Sequence, residues 1–210
     1  FNRLMLITTV DFLRHGEVTG GNYYRGITND PLSNLGWEQM KYAVNNRNWD
    51  QIISSPLNRC LDFAQHMSSQ TNTPLFTDPN WQEINFGDWE KKTADQINPE
   101  ALMRFYQDPI NITPENGESY HSLLYRVSNA WESLIKTHPN QHILVVTHAG
   151  VIRCLFNLLL KLPANQLFNI QVDHSSLTRF QCFHDSPDDF ITLKFHNLTQ
   201  PDLYSVRSED

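Results

Sequence analysis

The chain has 210 residues, of which 40% are hydrophobic and 19% charged, and a formal net charge of −7. This composition supports one compact domain with a sizeable core and excludes an intrinsically disordered chain. The acidic balance and the lack of any Lys/Arg cluster argue against a nucleic-acid partner, and no apolar stretch is long enough to span a membrane.

In chain order, the first predicted element is a strand over Thr8–Arg14 that stops abruptly at Arg14-His15-Gly16-Glu17. Such an ending sets an imidazole and a fixed positive charge at a sheet edge, next to backbone that a ligand can approach closely. A Gly/Asn/Tyr-rich loop, 16–31, follows, and loops this long in compact domains commonly carry function. Ser33 predicts the N-cap of a helix reaching about Asn46. A short strand, Gln51–Ser54, leads into Ser55-Pro56, read as the N-cap and first position of a second helix. Leu57, Cys60, Leu61, Ala64 and Met67 repeat on one face of it. Arg59 falls in its first turn, where a cation opposes the helix dipole and makes sense beside a bound anion.

Residues 81–116 carry much of the Pro, Asn and Asp and predict a cap or insertion beside the site, with short helices near Ala94 and over Glu100–Tyr106. An amphipathic helix is predicted after Gly117, with Leu123, Leu124, Val127, Trp131, Leu134 and Ile135 facing the core. The aliphatic run His142–Thr147 suits a central strand buried on both faces and ends in His148-Ala149-Gly150. A buried helix over Gly150–Leu160 and strands over Asn169–Val172, Ser176–Phe183 and Phe190–His196 complete the set. Strands alternating with helices predict an α/β three-layer sandwich, a mostly parallel central sheet flanked by helices, with ligands at the carboxyl ends of the strands.

Three apolar runs end in Arg14-His15, in the approach to Arg59, and in His148. Together they predict a single anionic pocket, read as a phosphate site because guanidinium groups suit bidentate recognition of phosphate oxygens. An acidic protein repels an anionic ligand at long range, so the pocket must rely on local charge. Cys60, Cys154 and Cys182 are odd in number and set among apolar residues, which predicts reduced core thiols and a cytoplasmic compartment. The segment 1–7 lacks the features of a signal peptide. Glu17 is read as loop support and Glu90 as a solvated charge. Trp81, Phe86 and Trp89 are read as packing, His121, His138 and His142 as surface residues, and His174 as lying near the pocket rim.

Arg14-His15-Gly16-Glu17, Ser54-Ser55-Pro56-Leu57-Asn58-Arg59, Glu83-Ile84-Asn85-Phe86-Gly87-Asp88-Trp89-Glu90 and Thr147-His148-Ala149-Gly150 follow one another in a familiar order. On these motifs the chain resembles the histidine phosphatase (phosphoglycerate-mutase-like) superfamily over nearly all of 1–210, as a single domain. Phe86–Glu90, Asn116-Gly117-Glu118 and Leu162-Pro163-Ala164 are most similar to the α-ribazole phosphatases of cobalamin synthesis. The resemblance implies a phosphomonoesterase that uses neither metal nor cofactor. In it His15 attacks phosphorus and becomes a phosphohistidine, Arg14, Arg59 and His148 hold the phosphoryl oxygens, and Glu83 protonates the leaving alkoxide and then activates water. The chemistry asks for the same residue types: a neutral imidazole divides one hard displacement into two easier ones, and flanking cations keep His15 unprotonated.

One departure stands out. Where many members place a phosphate-contacting Asn after the Arg-His-Gly-Glu segment, this chain has Gly21, with Asn22 next. Asn22, Arg25 or backbone N–H groups of Gly20-Gly21 are the candidates for that contact. Tyr23, Tyr24 and Ala149 are candidates for the rest of the substrate. The expected partner is a small-molecule phosphate monoester, and the expected assembly a monomer or weak homodimer. The rival readings are a phosphoglycerate mutase built on the same site, a broad sugar-phosphate phosphatase, a metallohydrolase ligated by His15, His148 and Glu83, and a catalytically silent phospho-ligand module. The metallohydrolase lacks a closely spaced His/Asp ligand pair, and the silent module is at odds with the full complement of site residues.

Overall fold

The computed structural model describes residues 6–184 and 189–199. Phe1–Met5, part of the segment read as lacking the features of a signal peptide, lie outside the described residues. One sheet of six strands runs in the order β3-β2-β4-β1-β5-β6. Its strands are β1 (Leu6–Arg14), β2 (Gln51–Ser54), β3 (Leu75–Thr77), β4 (His142–Thr147), β5 (Leu177–His184) and β6 (Phe190–Leu198). Pairings among β1 to β4 are parallel, and β5 joins β1 and β6 antiparallel. Helices α1 (Asn34–Val44), α2 (Asn58–Thr71), α3 (Pro99–Gln107), α4 (Tyr120–Thr137) and α5 (Ala149–Leu160) surround it.

The layers follow from the two-residue period of a strand. Ile143 and Val145 of β4 pack with Val127, Leu134, Ile152 and Leu155 of α4 and α5, while Leu144 and Val146 pack with Met40, Phe63 and Ala64 of α1 and α2. The fold is therefore an α/β three-layer sandwich with a mixed, mostly parallel sheet, as the alternation of elements predicts. Among the described residues no helix is long and apolar enough to cross a membrane. Cys60, Cys154 and Cys182 are buried free thiols.

Several sequence expectations need correction. Asn169–Val172 is not a strand: Asn169 closes a 3-10 turn, Ala164–Asn169, and the carbonyls of Ile170 and Val172 accept from Arg153 Nε (2.9 Å) and Arg14 Nη1 (2.6 Å). Arginines take acceptors that a sheet neighbour would otherwise take. β3 was not foreseen, because three residues behind Pro74 on an exposed edge carry no alternation to read. Ser55-Pro56 does not cap α2, whose N-cap is Leu57 without a side-chain bond. Instead Asn29 Oδ1 accepts from Asn58 N (2.7 Å), which releases Ser55 Oγ for His148 (2.7 Å).

His142 is not a free surface residue either. Its Nε2 lies 2.9 Å from Oδ2 of Asp11, a fully buried carboxylate that also accepts from Trp49 Nε1 (2.9 Å) and from Arg179 Nε (2.6 Å) and Nη2 (2.8 Å). Burial works to raise the Asp11 pKa, but hydrogen bonds from Arg179 and His142 outweigh it and hold the group below its ordinary value. A depressed carboxyl contributes stability above the unfolded pKa and loses it as pH falls through the folded one. Asp11→Ala should cost about 2 kcal/mol in urea unfolding at pH 7 by leaving the buried Trp49 indole N–H unpaired and removing the acceptor of the part-buried Arg179 and His142. That deficit should shrink below about pH 4, where the wild type loses the same contribution.

Candidate active site

The parallel pairing of β1 with β4 runs out with Arg14 opposite Thr147, and His15 N donates to Thr147 O at 3.0 Å. His15 and His148 therefore leave the sheet side by side, with ring centroids 5.2 Å apart. β2 ends one strand further over, where Ser55 N donates to Val146 O (3.0 Å), and α2 then brings in Arg59, whose Nε donates to His148 Nδ1 (3.3 Å). Three separate stretches of chain thus meet because three neighbouring parallel strands finish at one level.

Hydrogen bonding sets the tautomers. A carbonyl can only accept, so the 2.8 Å contact from His15 Nδ1 to Gly16 O places the proton on Nδ1 and leaves a lone pair on Nε2. His148 accepts from Arg59 at Nδ1 and so donates from Nε2 to Ser55 Oγ. Burial, then the charges of Arg59 and Arg14, push the His15 pKa well below 6.5, against the opposing effect of the Gly16 carbonyl. Burial and Arg59 do the same to His148. Both rings are neutral at neutral pH.

Arg14 reaches Val172 O through Nη1 and His174 Nε2 (2.8 Å) through Nη2, while its buried Nε has no partner among the described residues. Burial lowers its pKa to about 10, so it stays charged. His174 stands at the rim with its ring 5.7 Å from that of His15, and its pKa falls to about 4 through desolvation and then the Arg14 charge. Arg59, 1% exposed, donates through Nη1 to Thr28 O and through Nη2 to Gly26 O, each at 2.6 Å.

Glu83 comes from the other side. Its carboxylate accepts from Gly150 N (3.1 Å) at the start of α5 and from Ile84 N (3.0 Å). A Cβ on Gly150 would strike that carboxylate, so glycine is required for this approach. Arg126 of α4 braces the segment by donating to the carbonyls of Asn80 (2.7 Å), Gln82 (2.7 Å) and Glu83 (3.2 Å), while Glu118 holds Arg126 at 2.7 Å and 2.9 Å. Thr147 Oγ1 adds a bond to Trp81 O (2.7 Å), with Trp81 itself in the core.

The remaining candidates are placed differently. Asn22 is exposed at the tip of the 16–31 loop. Arg25 is tied to Asp30 (2.8 Å) and to Gly21 O (2.9 Å), and Tyr23 donates to the same Asp30 carboxylate (2.5 Å). Tyr24 packs against Phe86 and Trp89 and bonds Tyr106 (2.7 Å). Ala149 lines a pocket beside Glu83. Glu17 supports the loop, as read, by accepting from Ser33 Oγ (2.7 Å). Glu90 is no solvated charge: it accepts from the backbone N–H groups of Gly26, Ile27 and Thr28, each at 3.0 Å, from the Thr28 hydroxyl, and from Phe86 N (2.9 Å). Neither Glu90 nor Arg126 carries a local signal of its contacts, beyond the place of Glu90 at the end of the Phe86–Glu90 motif.

The family model for histidine phosphatases, branch 1, matches residues 10–189. The chain belongs to the histidine phosphatase superfamily. It is 28% identical over 193 residues to the adenosylcobalamin/alpha-ribazole phosphatase of Escherichia coli, covering 88% of this chain and 93% of that one. It is 30% identical over 187 residues to a bifunctional protein of Mycobacterium tuberculosis, of which it spans about half the length, 51%, against 85% of its own. Among solved structures, a mycobacterial glucosyl-3-phosphoglycerate phosphatase superposes with a TM-score of 0.82 at 25% identity, covering 92% of this chain and all of that one. A putative alpha-ribazole-5'-P phosphatase from Escherichia coli gives 0.78 at 26%, covering 91% and 96%. Members of this superfamily among its relatives are phosphatases or mutases.

The electrostatics of this histidine phosphatase give a direct test. In NMR titration, His15 should protonate only well below pH 6.5. Arg59→Met removes a repelling cation and should raise that midpoint; a midpoint that stays put would contradict the charge assignment.

Proposed function

We propose that this chain hydrolyses phosphate monoesters through a phosphohistidine on His15. The observation that carries the reading is a neutral imidazole, locked by Gly16 O with its Nε2 lone pair free, flanked by the buried Arg59 and the half-buried Arg14. In the first step Nε2 forms a bond to phosphorus, the ester P–O bond breaks, and Glu83 gives its proton to the departing alkoxide. In the second, Glu83 takes a proton from water, the water oxygen bonds phosphorus, and the N–P bond breaks to release inorganic phosphate.

Magnitudes rank the parts. Phosphate-monoester hydrolysis needs on the order of 20 kcal/mol or more of barrier reduction, and a general acid supplies roughly 3–5 kcal/mol. Positioning and the cationic clamp on the transferring group must supply most of the rest. Arg14 and Arg59 are the cations of that clamp, and the neutral His148 joins it once its Nε2 donor turns from Ser55 to a phosphoryl oxygen. The unpartnered Arg14 Nε supports this role, because a phosphoryl oxygen would satisfy a buried donor that is otherwise costly to leave unpaired. The charge on the phosphoryl group is met by guanidinium groups, so the scheme routes no step through a metal.

For the substrate, residues 81–116 act as the cap. With Leu167 and Phe168 they wall an open pocket next to Glu83 and Ala149, lined by Ile84, Phe86 and Phe105. This apolar lining supports a ring-bearing leaving group, and likeness to the Escherichia coli adenosylcobalamin/alpha-ribazole phosphatase points the same way. α-Ribazole 5′-phosphate is the favoured substrate. The match to a glucosyl-3-phosphoglycerate phosphatase keeps sugar-phosphate hydrolysis as the alternative.

Phosphate release should be fastest from α-ribazole phosphate in a panel with sugar phosphates and phosphoglycerates, and should survive a chelator. His15→Ala should abolish it. Glu83→Gln should slow it about 10²–10³-fold while labelled phosphate accumulates on the protein. Normal turnover by His15→Ala would overturn the mechanism, and a preference for sugar phosphates would overturn the substrate. Ala149→Trp should fill the pocket and raise KM for α-ribazole phosphate more than for a small sugar phosphate.

A further inference from the structure

We infer that Glu90 is a positioning residue that aims Arg59 through the backbone of residues 26–28, an inference that rests on the phosphatase reading above. Three successive N–H groups, those of Gly26, Ile27 and Thr28, converge on the Glu90 carboxylate. Consecutive N–H groups turned to one side form a concavity that suits an anion, and Glu90 is that anion. The same segment turns two carbonyls the other way: Gly26 O and Thr28 O accept from Arg59 Nη2 and Nη1. Together with His148 Nδ1, they hold the guanidinium at three points. A guanidinium has five N–H groups, so one on each Nη is left for phosphoryl oxygens.

The charge on Glu90 matters as well as its shape. All five partners of its carboxylate are donors. A glutamine amide would keep one oxygen and turn an NH₂ group toward N–H groups. Gly26 is equally constrained, since a Cβ there would collide with Ile84 O and the Glu90 carboxylate.

Glu90 lies seven residues after Glu83 on the same segment, so it could act through the acid instead. The contacts favour Arg59, because Glu83 is separately held by Gly150 N and Arg126. The two routes respond differently to the leaving group. Protonation by Glu83 matters little when the leaving group is nitrophenolate, whereas the clamp matters for every ester.

The test compares Glu90→Gln with Glu83→Gln on p-nitrophenyl phosphate and on an alkyl phosphate, with orthovanadate binding measured directly. Glu90→Gln should lose about 10²-fold in kcat on both esters and weaken vanadate by a similar factor, and Glu90→Asp should recover part of each. Glu83→Gln should be largely spared on p-nitrophenyl phosphate. Ile97→Ala, at a buried residue clustered with Trp89 and Phe105 that does not line the pocket beside Glu83, should lower Tm and leave vanadate affinity unchanged. Normal vanadate binding by Glu90→Gln, a deficit that vanishes with p-nitrophenyl phosphate, or an equal loss in Ile97→Ala would overturn the inference. Should Glu90→Gln fail to fold, Thr28→Val removes one donor and should weaken vanadate several-fold; an unchanged value would count against the inference. A wild-type protein that cleaves no ester would sink the phosphatase reading, and vanadate binding would then judge this inference alone.

Discussion

A guanidinium that is 1% exposed has to find acceptors inside the protein, and much of the site is organised by how Arg59 finds them. An unpaired buried cation is among the costliest things a fold can contain. Two backbone carbonyls meet part of the demand, which forces the 16–31 loop down onto α2 and makes residue 26 a glycine. Carbonyls pointing one way leave N–H groups pointing the other, and Glu90 answers those. Chain segments far apart in sequence are thereby coupled through one side chain, and the helix that carries it is started by Asn29 from the same loop.

Two arginines beside two histidines would be self-defeating if the rings were charged. Burial and the guanidinium charges act in the same sense here, since both disfavour the imidazolium. Neutrality is useful only if the proton sits on the correct nitrogen. Gly16 O and Arg59 Nε settle that in opposite senses: His15 keeps its proton on Nδ1, and His148 keeps its own on Nε2. One ring is left with a free lone pair, the other with a donor committed to Ser55.

What the sequence made legible was local. β2 and β4 were readable to the residue because their patterns are self-contained, and the chemistry at the strand ends was readable because apolar runs stop there. Long-range partnerships were invisible. Glu90 looks like any charge after a turn until its donors arrive from some 60 residues upstream, and Arg126 looks like the polar face of an amphipathic helix until Asn80 and Gln82 offer their carbonyls. His142 failed for the same reason, since its partner Asp11 lies on another strand. The false strand at Asn169–Val172 shows the converse: an apolar run whose acceptors are claimed by arginines has no ladder left to join.

The two arginines are held in contrasting ways, and the contrast bears on how the site works. Arg59 is fixed at three points, whereas on the β5 side Arg14 Nε, Ser175 Oγ and Ser176 Oγ are all buried without partners among the described residues. Ser175 also adopts a left-handed backbone, φ 57°, which a non-glycine residue holds only under constraint. Each unsatisfied polar atom costs on the order of 1–3 kcal/mol, a cost a purely structural site would have shed. The serines sit on chain that touches the backbone at His15, where Ser175 N donates to His15 O (3.2 Å) and Arg14 N to Ser176 O (3.1 Å). On the phosphatase reading, a phosphoryl oxygen supplies the acceptor that Arg14 Nε lacks, so that part of the energy withheld from folding is recovered on binding. Arg59 then provides a rigid reference for the transferring group, and Arg14, anchored only to Val172 O and the exposed His174, provides the contact that adjusts to it.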